Sequence, residues 1–155
     1  DDVSRNAVAS AFAGVRQRES FNILLSNWDR VKELTEESAN ALLELVLSGK
    51  KRATSSSLPA YELDGEPIPK EGDLSIVTDW AGNPRCVIMT KEVTIIPYKD
   101  MTFDICSREG EDECLESWQR NHERFFTHDA KESGYAFSPD MPVVFEDFEM
   151  IYKTE

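Results

Sequence analysis

Apolar residues recur every three or four positions in the first fifty residues and alternate with polar ones through most of the middle, which predicts helices followed by strands. Over 4–18, Val8, Ala11, Phe12 and Val15 share one helical face, and over 21–34 Ile23, Leu24, Trp28 and Val31 do the same. Thr35 reads as an N-cap, with Glu36 and Glu37 in the first turn, where carboxylates complement the helix dipole. The helix it starts carries Ala39, Leu42, Leu43, Val46 and Leu47 on one side and ends at Gly49, which supplies the left-handed residue of a C-terminal cap.

Beyond that helix the period changes. Ala53 to Leu58 predicts a short strand, and Pro59 to Lys70, with Asp64-Gly65, Pro67 and Pro69, predicts a long surface loop. Leu74 to Thr78 and Cys86 to Met89 form a hairpin around Ala81-Gly82-Asn83-Pro84, and Val93 to Ile96 is a further strand ending at Pro97. The segment Asp100 to Ser107 has no clear period. Glu113 to Lys131 is a helix with Leu115, Trp118, His122 and Phe125/Phe126 on one face, and Val143 to Ile151 alternates as a closing strand. Helices, then strands, then a helix and a last strand predict an α+β domain, a mostly antiparallel sheet or barrel flanked by helices.

Length and composition narrow this further. A chain of 155 residues buries one continuous core, and 40% hydrophobic with 30% charged residues is globular rather than disordered. No apolar run reaches the roughly 18 residues of a transmembrane helix, so no membrane partner is expected. The net charge of −13 disfavours proteins that hold duplex nucleic acid by counterion release; duplex DNA is not an expected partner. A pocket of local positive charge remains available at Lys50-Lys51-Arg52. The three cysteines, Cys86, Cys106 and Cys114, are odd in number and form no C-x-x-C pair, so reduced thiols and a cytoplasmic location are expected. The acid-free stretch Ser4–Arg18 faintly suggests a mitochondrial presequence, but an amphipathic helix explains it with fewer assumptions.

Three groups of residues hold candidate chemistry. Around Gly49 to Ser57, cations and hydroxyls follow a helix end. Capping of the last carbonyls accounts for the cations alone, whereas a desolvated Lys51 close to Thr54 is the pairing that turns a hydroxyl into a nucleophile. Residues three apart on an ideal strand face opposite ways, so contact between them requires a turn or bulge at Arg52 or Ala53. The acidic run from Glu109 to Glu113 reads as a solvated first turn of the following helix, unless the fold carries a carboxylate to Lys51. His122, His128, Cys106 and Cys114 lack the close ligand pairs of zinc sites, so no metal and no cofactor is expected. Trp80, Tyr61, Tyr98 and Phe103 offer aromatic faces for a base, with core packing the commoner role.

Taken together, Gly49-x-Lys51-x-x-Thr54 after an amphipathic helix, Gly72-Asp73 opening a strand, and Glu109-Gly110-Glu111 leading to Leu115-x-x-Trp118-x-x-x-His122-x-x-Phe125-Phe126 resemble the ASCH domain family. The resemblance covers about 34–153, which leaves 1–33 as an N-terminal helical extension. It implies a PUA-like small β-barrel of mostly antiparallel strands flanked by α-helices, with a cleft facing RNA or a modified nucleoside. From the amidohydrolase pattern of the wider family it further implies Lys51 as base, Thr54 as nucleophile on an acylated nucleoside, and Glu111 as the group holding Lys51 or donating to the leaving amine. Arg52, Ser55, Glu109, Trp118 and His122 are then the expected substrate-binding residues, and RNA or a nucleoside-type small molecule the partner. The alternatives are a non-catalytic RNA-binding module and a ribonuclease. The oligomeric state stays open, a homodimer included.

Overall fold

The computed structural model describes residues 36–154; the two helices expected over 4–18 and 21–34 lie outside them. Helix α1, Glu36–Leu47, buries Ala39, Leu43, Val46 and Leu47. At Gly49 the backbone turns left-handed, with φ of +78°, and folds back so that the Lys51 amide donates to Leu45 O. That return fixes where Lys51 enters the sheet.

Strand β1, Ala53–Ser57, begins two residues later. The expected loop after it is instead helix α2, Leu58–Asp64. The Ser57 hydroxyl caps it by accepting from the Ala60 amide, Pro59 occupies its first turn, and Gly65 ends it in the left-handed conformation. Proline is tolerated there because first-turn amides have no intrahelical acceptor.

Strand β2 spans Leu74–Thr78, β3 Pro84–Pro97 and β4 Pro142–Lys153. The hairpin and closing strand fall where the alternation put them, but the two strands expected within 86–96 are one strand of 14 residues. A bulge at Thr90–Glu92, where the polar residues had read as a break, carries the strand through. All pairings are antiparallel in the order β1-β4-β3-β2, and the bulges curl the sheet into a half-barrel.

The unassigned stretch after β3 is three short turns of helix: a 3-10 turn at Tyr98–Asp100, helix α3 at Phe103–Cys106, and a 3-10 turn at Ser107–Glu109. Helix α4, Leu115–Ser133, follows. Alternation along β4 divides the interior. Val143 and Phe145 pack with Ala53, Tyr98, Trp118 and Phe126 beneath α4, while Phe148 packs with Leu43, Val46, Leu47, Val77 and Ile88 beneath α1. No helix among the described residues is long and apolar enough to cross a membrane.

Candidate functional site

The site forms where the turn before β1 meets the turn before α4. The Arg52 amide donates to Arg108 O at 3.0 Å, and Arg52 O accepts from the Phe148 amide, which clamps the two segments to β4. Gly110 makes the approach possible: its φ is +72°, and a Cβ there would lie 2.5 Å from Lys50 O. Glycine is required for both reasons, conformation and clearance. Arg108 adds a side-chain anchor that the sequence reading passed over. Its guanidinium lies over the Phe145 ring at 5.2 Å, with Nη2 donating to Asp147 Oδ2 at 3.2 Å. Nε is 2.9 Å from Asp147 Oδ1 as an ion-pair contact but off the hydrogen-bond line.

Within this junction Lys51 Nζ donates to Ala53 O at 3.0 Å and to Glu111 Oε2 at 2.8 Å. The Lys51 side chain is 8% exposed and that of Glu111 17%, so the pair sits at the rim of the interior. Glu109, expected in a solvated run, is 2% exposed. The charge pattern misled because the turn tucks this one carboxylate under α4, while Glu111 and Asp112 are half-buried and Glu113 alone of the run is exposed.

Four donors converge on Glu109. Ser55 Oγ (3.1 Å) and Trp118 Nε1 donate to Oε2, while His122 Nε2 (3.5 Å) and Lys51 Nζ (3.9 Å) lie near Oε1. Burial by itself raises this carboxyl, but the charge and contact of His122, the charge of Lys51 and the Trp118 N–H together hold it down at about 2. For His122, burial opposes the charged form, and the carboxylates of Glu109 and Glu111 overcome it, raising the imidazole above its ordinary value. The ring stacks on Trp118 with centroids 4.2 Å apart and planes at 17°, and Nδ1 is 2.9 Å from Trp118 O.

The remaining expected site residues fall in three places. Arg52 is exposed beside the junction. Trp118 is wholly buried, so it reaches a ligand only through the groups it holds. Thr54 leaves β1 on the face opposite Ala53 and Ser55, in register with Glu146, whose Oε1 accepts from Thr90 Oγ1 at 2.6 Å. No hydrogen bond joins Thr54 to Lys51 among the described residues; the ammonium instead rests on the carbonyl of the peptide that leads into Thr54. Of the expected aromatic platforms, Tyr61 and Tyr98 are core, whereas Trp80 and Phe103 are 45% and 38% exposed.

Sequence reading also missed a shallow groove of about 600 Å³ along α4, lined by Arg120, Glu123, Arg124, Thr127, His128 and Lys131. Helical spacing of Arg120, Arg124 and Lys131 was the available signal. Among the described residues no group of three or more histidine, cysteine or carboxylate side chains is arranged to hold a metal ion.

The curled antiparallel half-barrel with its flanking helices is a PUA-like fold. The ASCH domain family matches residues 29–152, and the chain belongs to that family. It is similar to the ASCH domain from Lactobacillus crispatus JV V101, at 37% identity and a TM-score of 0.72 over 77% of this chain and 76% of the other. A protein of Enterococcus faecalis V583 is similar at 34% identity and a TM-score of 0.71, over 77% and 72%. Among curated proteins none matches the chain.

Proposed function

We propose that the junction binds a nucleoside-type ligand, free or within single-stranded RNA, and that Lys51, Thr54 and Glu111 hydrolyse an acyl amide on it. The observation that carries this reading is the 2.8 Å pairing of Lys51 with Glu111, two polar groups 60 residues apart that the fold brings to the rim of its interior. Lys51 first gives a proton to Glu111; with the ligand bound and the Thr54 hydroxyl brought within its reach, it takes one from Thr54 Oγ as that oxygen attacks the acyl carbon. The C–N bond then breaks, and Glu111 returns its proton to the departing amine. Water cleaves the acyl-threonine ester, releasing the carboxylic acid and restoring the hydroxyl. Arg52, exposed beside the junction, engages a phosphate or carboxylate of the ligand in two parallel hydrogen bonds.

The test is hydrolysis of 4-acetylcytidine by the wild type and by Thr54→Ala. Turnover that vanishes in the variant supports the hydrolase. A folded wild type that binds the nucleoside without turnover at any pH overturns it. That second outcome would favour a binding module, a reading supported by the placement of Thr54 on the strand face away from Ser55. Strand cleavage of single-stranded RNA, abolished by Lys51→Ala, would point to a ribonuclease instead.

A further inference from the structure

We infer that Glu109 and His122 are positioning residues for Lys51: the buried carboxylate links the lysine to the imidazole, so that the proton on His122 governs how Lys51 is held and ligand binding at the junction titrates with His122. This rests on Lys51 being the working group of the proposed site.

The two oxygens of Glu109 have different occupants. Oε2 accepts from two neutral donors, Ser55 Oγ and Trp118 Nε1, which fix the orientation of the carboxylate. Oε1 faces the two cationic side chains, His122 at 3.5 Å and Lys51 farther off at 3.9 Å. Both cations draw on the same carboxylate charge, so the protonation state of one changes the electrostatic balance at the other.

His122 is built to titrate on that side alone. Its Nδ1 lies 2.9 Å from the Trp118 carbonyl, which can only accept, so Nδ1 keeps its hydrogen and Nε2 is the nitrogen that gains or loses one. Stacking on the Trp118 ring keeps the imidazole from swinging away. With Nε2 protonated, an N–H points at Glu109; without it, a lone pair does. The charged groups around the imidazole are then Glu109 from the 3-10 turn, Lys51 from the turn before β1, and Glu111 from the loop before α4, with Phe126 closing the apolar side. Loss of the His122 proton removes one of the two cations on Oε1 and draws Lys51 toward Glu109, away from Glu111. A pair that only pinned α4 to the sheet would not transmit this change to Lys51.

Coupling of this kind is reciprocal, which gives a test needing no ligand. The chain has two histidines, so the His128→Gln background leaves the imidazole NMR signal of His122 alone. In that background the midpoint of His122 should lie above the ordinary histidine value. Lys51→Met, which gives Glu109 wholly to His122, should raise it by a further increment of about one pH unit. Lys51→Arg, which keeps a cation, should return it toward the wild-type value. A midpoint that Lys51→Met leaves unmoved overturns the inference. The second arm follows 4-acetylcytidine binding against pH. A dependence centred on the NMR midpoint and absent in His122→Gln supports the inference, and binding flat across that midpoint in the wild type overturns it. If the nucleoside does not bind at all, the NMR arm still decides the coupling, so the two failures are separable.

Discussion

Two sets of ion pairs in this molecule set lysine against carboxylates in opposite surroundings. Lys51, Glu109, Glu111 and His122 meet in the interior, with side-chain exposures between 2% and 17%. Lys99–Asp140 and Lys91–Glu149 lie on the surface, every partner at least half exposed. Surface pairs exchange water for a partner at little net gain. The interior groups have given up their water, and removing one leaves the others uncompensated. The comparison teaches that charge in the junction is structural as well as chemical.

The largest effect expected is that of Glu109→Gln, which leaves His122 beside a neutral amide and Lys51 with Glu111 as its one remaining carboxylate partner in the junction. Chemical denaturation should show a loss of about 3–5 kcal/mol; a loss no greater than that of a surface variant would erase the distinction. Next comes Gly110→Ala, where a left-handed backbone and a Cβ placed 2.5 Å from Lys50 O act together. Strain of about 1–3 kcal/mol is expected, measured the same way.

The pH dependence of stability sharpens the comparison from both sides. Because His122 is raised in the folded state, its contribution is fully present below its unfolded value of 6.5 and is lost as pH climbs through the folded value. Glu109 acts on the acid side, contributing above its unfolded value of 4.5 and losing that contribution as pH falls toward about 2. In thermal melts across pH, His122→Gln should therefore remove the decline through the His122 midpoint and also weaken the acid one, because His122 is the foremost of the groups that hold Glu109 low. The smallest effect is Asp140→Asn on the surface, for which no measurable change in melting temperature is expected.

The same contrast explains what was legible in the sequence. Helices α1 and α4 and the hairpin were readable because their apolar periods report which face is buried. Helix α2 was not, since Leu58-Pro59 reads as a loop start until Ser57 is recognised as a cap and Gly65 as its end. In β3 the polar Lys91-Glu92 imitated a loop, while the structure absorbs the irregularity as a bulge against β4. Motif order pointed to Lys51, Glu109, Glu111, Trp118 and His122. Their arrangement around one carboxylate oxygen was not readable, and the run Glu109 to Glu113 looked uniformly solvated.

By itself the sequence determined the α+β class, the main helices and strands, and the family, because local periodicity and spacing are properties of the chain. Tertiary structure alone decided that Glu109 is buried while Glu111 is at the rim, that Arg108 bridges to Asp147, and that Ser55 rather than Thr54 faces the Glu109 cluster. Those outcomes depend on contacts across about fifty residues of chain and on the alternation of a strand whose neighbours are set only when the sheet closes.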